Sequence, residues 1–502
     1  MPPFRTSAIL IDHPLVAMLL FGGISVALAF ALGPLQAVVA VLGIMVCFVS
    51  MVQPMLGLWV NLFANTSLQV LGSAHIIGAP ASLSKMFGVI SIGAILLHVV
   101  FSGWKITASP LFRVFLLFFI PVLMWDLVAP NPETAFLEGT TRFLLMVLLV
   151  VIIGTIGGQS QRNLDQLVMG LFVAIALCGV IGLAEHFLPS LAVESDDPRV
   201  AEGMIGGIID RESLDGVAVK RITGGIGDAN WLAYSIAMTV PLLIYGWQRW
   251  SGFWMRGLLM VLAGLQMIAL VYSYTRTGFL GLGAASIYLI LRGVVPLRPL
   301  LAIAAVGFVV ALVALPEGFA DRMFSSRYLK EGSTPLRTFF VSEAANIFLE
   351  KPLFGHGYKG FGPEFYQGMQ TRLPEDVRLE AWAIDTKKSI EEGRELVSNI
   401  GAHNLQLELL VEYGIVGAVL YFMIFVVAWR EASKIEATGP PHLRLLAIAI
   451  KAGLIAFLAC GLLGHAKYLK VLWILLGVLV AARRVSAIGD SPSRVLLAWR
   501  RV

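Results

Sequence analysis

Runs of about 20 apolar residues follow one another along this chain, and they leave it few folds to choose from. A helix rises about 1.5 Å per residue, so about 20 apolar residues cross the ~30 Å hydrocarbon core of a bilayer. Inside lipid the backbone must satisfy its own hydrogen bonds, which a helix does. Such runs lie at about 15–32, 34–52, 54–71, 83–101, 110–128, 141–158, 164–187, 230–248, 255–274, 277–294, 297–316, 404–428, 443–464 and 467–482. The third is the weakest, interrupted by Asn61, Asn65 and Gln69, with a re-entrant segment as the alternative. The expectation is an all-α polytopic membrane protein of about 12–14 transmembrane helices. Composition agrees: 14% of residues are charged and the mean hydropathy is +0.82, whereas soluble domains carry roughly 25% charged residues. The N-terminus feeds directly into apolar sequence, so the first span is expected to be retained.

Lysine and arginine in short loops set the orientation. Arg249 and Arg256 flank one short loop, Arg292 and Arg298 another, and Arg430, Lys434 and Arg444 a third; the tail carries Arg483, Arg484, Arg494, Arg500 and Arg501. One threading makes all four cytoplasmic, with both termini inside. It divides the chain into N-terminal spans (1–187), an outer loop (188–229), central spans (230–316), a large outer loop (317–402), C-terminal spans (403–482) and a cytoplasmic tail (483–502). Labelling from outside is expected to modify Ser195→Cys or Ser389→Cys and to spare Ser433→Cys. The reverse pattern would contradict both the threading and the site argued below.

Several function classes are disfavoured. Cys47, Cys178 and Cys460 all lie within apolar runs, so no disulfide framework is implied. C-x-x-C and H-E-x-x-H are absent, and no outer segment offers three ligands at metal-binding spacing, so no metal or other cofactor is expected. The net charge of +5 is modest and follows the loops, which reads as membrane orientation and not as nucleic-acid binding.

Polar groups gather in the outer segments. "STPLRTFFVSEAANIFLEKP" reads as an amphipathic helix over 334–350, with Thr334 to cap it, Pro335 in its first turn, and Leu336, Phe339, Phe340, Ala344, Ile347 and Phe348 on one face. Lys351-Pro352 ends it, and a second helix is expected near Pro374. Arg337 lies in the first turn, where unpaired N–H groups favour an anion; its bland reading is a solvated face. "GHGYKGFG" holds a literal G-x-G-x-x-G at Gly355, Gly357 and Gly360, but it follows a helix and so reads as a turn. Arg276 sits between two spans that leave almost no loop, on the side where the charge rule does not call for it. Arg199, Arg211, Lys220, Arg221, Arg322 and Arg327 read as surface bases.

His403 and Asn404 open a long apolar run, and Glu408 and Glu412 lie one and two turns further along the same stripe. Acids within a span are costly and need partners. Lys451, mid-span in "AIAIKAGLIAF", is one possible partner.

Four stretches, in order, carry a resemblance. "RITGGIGDANWLAYSIAMTVPLL", "YTRTGFLGLG", "RTFFVSEAANIFLEKPLFGHGYKGF" and "HNLQLELLVEYGIVG" together resemble the motifs of the O-antigen ligase and polymerase family over roughly Arg221–Tyr421. The resemblance implies a helical bundle of the glycosyltransferase C type in the bacterial inner membrane, with its site on the periplasmic side. It implies a metal-independent transfer of a glycan from a polyprenyl (undecaprenyl) diphosphate carrier to the lipid A core or another polysaccharide acceptor. It also implies residue roles: His403 as the catalytic base, Arg276 and Arg337 on the donor diphosphate, and Asn230, Asn404, Glu408 and Glu412 in support. The chain departs from the pattern in its Thr275-Arg276 pair and in a charged insertion at about 372–400. Two rival readings stay open: a repeat-unit polymerase of the same family, and a membrane transporter. Transporters usually place ionisable residues near mid-membrane and show repeated halves; here such groups cluster at the outer edge and no repeat is visible.

Overall fold

The computed structural model describes residues 48–67, 83–127, 129, 132–188, 209–212, 218–295, 319, 333–365, 401–464 and 466–489. The expected spans at 15–32 and 297–316, most of 34–52, the helix near Pro374, the 372–400 insertion, the tail beyond 489 and His465 lie outside these residues.

The described elements run α1 (Pro54–Asn65), α2 (Leu83–Ser102), α3 (Pro110–Leu127), α4 (Thr141–Gly157), α5 (Gln161–Phe187), strands β1 (Ile209–Glu212) and β2 (Ala218–Arg221), α6 (Ala229–Thr239), α7 (Leu243–Arg249), α8 (Phe253–Tyr272), α9 (Arg276–Leu291), α10 (Ser333–Glu350), α11 (Leu405–Thr438), α12 (Pro441–Gly461) and α13 (Lys470–Gly489). Among the described residues seven helical segments are long and apolar enough to cross a membrane. The chain is an all-α polytopic membrane protein, apart from a two-stranded antiparallel ribbon pairing Ile209 with Arg221 and Glu212 with Ala218. Large apolar side chains such as Leu116, Phe253, Trp254 and Leu291 face outward, as lipid requires.

Four expected spans differ in detail. Helix α1 stops at Asn65; 12 residues reach only about 18 Å, too short to cross. Its asparagines are buried and bonded, with Asn65 Nδ2 donating to the Asn61 side chain at 2.5 Å, so this short apolar helix keeps its two polar side chains inside protein. The 230–248 run is split by a 3-10 turn at Val240–Leu242, where Pro241 cannot donate to an α-helical ladder. The 141–158 run begins earlier, in a π-helical turn at Ala135–Thr140. The run expected to end at residue 428 continues to Thr438.

Small residues set the packing. Gly278 and Gly281 turn one face of α9 toward α6 and α12; a Cβ at Gly278 would lie 2.6 Å from the Ala233 Cβ, and one at Gly281 would strike Cys460 Sγ. Small interfaces of this kind let helix backbones approach closely. Helix α13 packs on α4, with Gly154 and Gly477 making room for Val480 and Ile153.

The basic turns gather at one end of the bundle. Arg249 pairs with Asp165 at 2.8 Å, Arg292 with Glu436, and Arg483 with Glu431 at 3.4 Å; Arg484 donates to the Lys105 carbonyl at 2.7 Å. Lys451 belongs to this end too. It pairs with Glu436 at 2.5 Å and not with Glu408 or Glu412, because it points toward the α11–α12 turn. The opposite end holds the starts of α6, α9 and α11 and the α12–α13 turn.

Candidate functional site

At that opposite end α11 begins. Asn404 is its N-cap: Oδ1 accepts from Leu407 N at 2.9 Å, while Nδ2 donates to the Leu462 carbonyl at 2.8 Å. One side chain thus starts the helix and ties it to the end of α12. His403, immediately before, has φ +49°, a left-handed conformation uncommon outside glycine. Its ring lies nearly parallel to Phe340 of α10, 16° between planes and 5.6 Å between centroids. Helix α10 begins at Ser333, which moves Thr334 from the expected cap into the first turn. Of its expected face, Phe340, Ala344 and Ile347 are buried and pack with Phe361, Phe365, Ala402 and Val411 in a small core separate from the bundle's main one, with Phe339 and Phe348 partly buried against it; the Leu336 side chain lies outside the described residues. That core sets His403 against α10.

Nine residues into α11 the helix breaks at Gly414, with φ +63° and ψ −169°, a backbone state that only glycine adopts readily. A break within a bundle leaves peptide groups without helical partners. The 352–357 turn supplies them. Ile415 N donates to the Pro352 carbonyl at 2.8 Å; His356 N and Gly357 N donate to the Val411 and Glu412 carbonyls at 2.7 and 2.9 Å. The glycines of "PLFGHG" and "EYGIVG" are therefore one device. A Cβ at Gly355 would meet the Glu412 backbone at 2.6 Å, and one at Gly414 would strike the Leu353 carbonyl. The G-x-G-x-x-G is a backbone splice across a kinked helix.

His403 and Arg337 line one pocket, together with Asp228, Asn230, Trp231, Tyr234, Leu463 and Gly464. Arg337 reaches the Leu463 carbonyl at 3.5 Å. Asp228 caps α6: its Oδ1 accepts from Asn230 N at 2.6 Å and from Trp231 N at 3.0 Å. Arg276 opens α9 nearby in the chain's fold but is not among the residues lining this pocket. Tyr274, two residues earlier, has φ +49°, so a second strained turn sits at this end.

Arg221 is not a surface base. Only 5% of it is exposed. Its Nε donates to the Ser273 carbonyl at 2.9 Å, and its Nη2 donates to Asn230 Oδ1 at 3.1 Å and Thr275 Oγ1 at 2.9 Å. One guanidinium thus fastens the α8–α9 turn, which presents Arg276, to the start of α6, which presents Asn230. The chain is buried from Arg221 through Ile226, so the segment leading into α6 runs inside the bundle. Gly224 and Gly225, both at positive φ, let this stretch pass directly against the backbones of Cys178 and Ser67.

Glu408 and Glu412 find their partner in Lys467, in the α12–α13 turn. Lys467 Nζ lies 3.1 Å from Glu408 Oε1 and is bonded to Glu412 Oε2. It is buried among the rings of Tyr358, Tyr413 and Tyr468, 5.0, 5.7 and 5.5 Å from their centroids. Burial would pull the Lys467 ammonium down, but Glu412 and Glu408 more than offset this and hold it above the usual lysine range. Burial pushes the Tyr358 phenol up to about 12. Glu412 also accepts from Lys359 N at 3.0 Å. The two acids therefore fasten α11 to the hairpin behind it and to the glycine turn, and leave the pocket to His403.

His356, on the same side, has both ring nitrogens engaged, by Glu364 at 2.9 Å and by the Ile347 carbonyl at 3.0 Å. It braces the 352–365 turn. No group of three or more His, Cys, Asp or Glu able to hold a metal occurs among the described residues.

Residues 258–422, about a third of the chain, match the family described as O-antigen ligase. No curated protein matches the chain. The match spans Arg276, Arg337, His403 and the glycine splice, and it begins after Arg221 and Asn230.

Proposed function

We propose that this chain, whose residues 258–422 match the family described as O-antigen ligase, is a membrane glycosyltransferase of the ligase type. It takes a glycan from a polyprenyl diphosphate carrier and hands it to a hydroxyl acceptor, lipid A core or another polysaccharide, at the periplasmic face of the inner membrane. The observation that carries this reading is the pocket that joins Arg337 to His403 at the end of the bundle away from the basic turns. The basic turns belong in the cytoplasm by the charge rule, so the pocket faces outward.

The chemistry is a displacement at the anomeric carbon. The bond from that carbon to the diphosphate oxygen breaks, and the diphosphate leaves with the electron pair. The acceptor oxygen forms the new bond and gives up its proton. Arg337 neutralises the charge growing on the leaving diphosphate; guanidinium stays protonated and binds phosphate with paired donors. Arg276, held at the same end by the Arg221 clamp, supplies a second cation. His403 takes the acceptor proton, a task suited to an imidazole near neutral pH. Asn404 and Asn230 fix the two helix starts that border the pocket, and Glu408 and Glu412 fix α11.

Deleting the gene tests the reading. Loss of a ligase leaves long glycan chains on the carrier; loss of a polymerase leaves single repeats on it. We expect long carrier-linked chains. Single repeats would assign the polymerase role, and an unchanged pool of carrier-linked glycan would remove the chain from both.

A further inference from the structure

The first turn of α6 brings an acid to a pocket that, on the reading above, receives a diphosphate. Asp228 lines the same pocket as Arg337 and His403. A carboxylate beside a bound diphosphate is a like-charge contact and costs affinity. Capping does not demand the charge, because asparagine and serine cap a helix about as well as aspartate. The cap also uses one oxygen, Oδ1, for both of its hydrogen bonds, so Oδ2 is not needed for it.

Its neighbours share a different chemistry. The Asn230 amide oxygen accepts from Arg221, which turns its NH2 into the group available to a ligand. Trp231 is half-buried and lines the pocket wall. A carboxylate acceptor, an amide donor and a flat indole side by side suit a pyranose. Sugar hydroxyls both donate and accept, O–H to carboxylate bonds are among the stronger ones, and the C–H face of the ring packs on an aromatic face that carries partial negative charge.

We propose that Asp228, Asn230 and Trp231 form the subsite for the sugar joined directly to the carrier diphosphate. The inference rests on Arg337 holding that diphosphate: the sugar bonded to it then falls within the same pocket, against the α6 turn, with its anomeric carbon open to the acceptor beside His403. Asp228 and Asn230 hold hydroxyls of that sugar, and Trp231 sets the plane of its ring. The acid also selects against a bare diphosphate lipid, which presents the charge without the hydroxyls.

The test uses the purified full-length protein and two probes. One is carrier-linked glycan extracted from the gene-deleted strain; the other is sugar-free polyprenyl diphosphate as a competitive inhibitor. Asp228→Asn keeps the cap. It is expected to raise KM for the glycan donor about tenfold or more, the scale of one charge-assisted hydrogen bond. The same variant should leave inhibition by sugar-free polyprenyl diphosphate unchanged or tighter. Trp231→Leu should raise the donor KM by a similar factor, and Trp231→Phe should restore part of it. Arg337→Ala is the control, weakening both probes. If Arg337→Ala weakens both while Asp228→Asn and Trp231→Leu leave the donor KM unchanged, the sugar subsite is wrong and the diphosphate site stands. If Asp228→Asn weakens both probes equally, it acts only through the fold, and the subsite is again wrong. If Arg337→Ala affects neither probe, the diphosphate reading and the subsite that rests on it both fall.

Discussion

Replacing His403 by alanine is expected to lower glycan transfer by about 10²–10⁴-fold, the range typical of general-base assistance. Folding, membrane insertion and donor binding should be retained. The expectation comes from placement. His403 stands one residue before the α11 cap, in a pocket with Arg337, with its ring plane set by Phe340. Its φ of +49° is held by packing on both sides, since Ala402 is buried and Asn404 is bonded to the Leu462 carbonyl. Strained residues of this kind persist where the surroundings over-determine them. His403→Asn separates the roles, because asparagine tolerates a left-handed backbone but cannot serve as the base; it should be as inactive as alanine. His356, on the same side, and His465, which the charge rule assigns to the outer side, belong in the same comparison. His356→Ala should fail, if at all, through loss of stability, because both its nitrogens brace the turn. Normal transfer by His403→Ala, with His356→Ala or His465→Ala folded and dead, would move the base elsewhere.

Lys467→Met is expected to destabilise the protein by about 3–5 kcal/mol, the usual cost of leaving buried charges without their partner. Lys467 is 7% exposed, and its removal strands Glu412, 2% exposed, and Glu408, 8% exposed. The damage should concentrate at the kink, because Glu412 also holds the Lys359 amide and its backbone receives Gly357. A triple variant, Lys467→Met with Glu408→Gln and Glu412→Gln, removes the stranded charges and should recover much of the lost stability. Thermal unfolding in detergent reads both. A Lys467→Met protein that melts with the wild type would mean that the two acids are satisfied without it.

The helices are legible in the sequence because length and hydropathy state them directly, and so is the packed face of α10, where Phe339, Phe340, Ala344, Ile347 and Phe348 recur at helical spacing. Asn404 and His403 were visible at the junction where a polar segment meets an apolar run. The kink at Gly414 was not visible: glycine is common in membrane helices, and nothing local distinguishes one that breaks the helix. What breaks it is the 352–357 turn, supplied by a distant segment. The same turn explains why a nucleotide-like glycine pattern occurs here after a helix, at a backbone splice. Arg221 read as one outer base among several, because its three partners come from Asn230, Ser273 and Thr275. Lys451 lies mid-span and is the conspicuous base, yet the partner of the two acids is Lys467, in a short polar turn. A burial that depends on where other segments pass leaves no periodic trace.

Reconstituted transfer measures the central claim most directly. Purified protein in lipid nanodiscs is mixed with carrier-linked glycan and an outer-membrane lipid A core acceptor, and glycan–acceptor product and released polyprenyl diphosphate are counted together. The two should appear one for one with the wild type, and neither should appear above background with His403→Ala or with the Arg276→Ala, Arg337→Ala double variant. If the wild type forms no product and frees no polyprenyl diphosphate, but moves the intact lipid-linked glycan across a sealed bilayer, the chain is a transporter and the pocket has been misread.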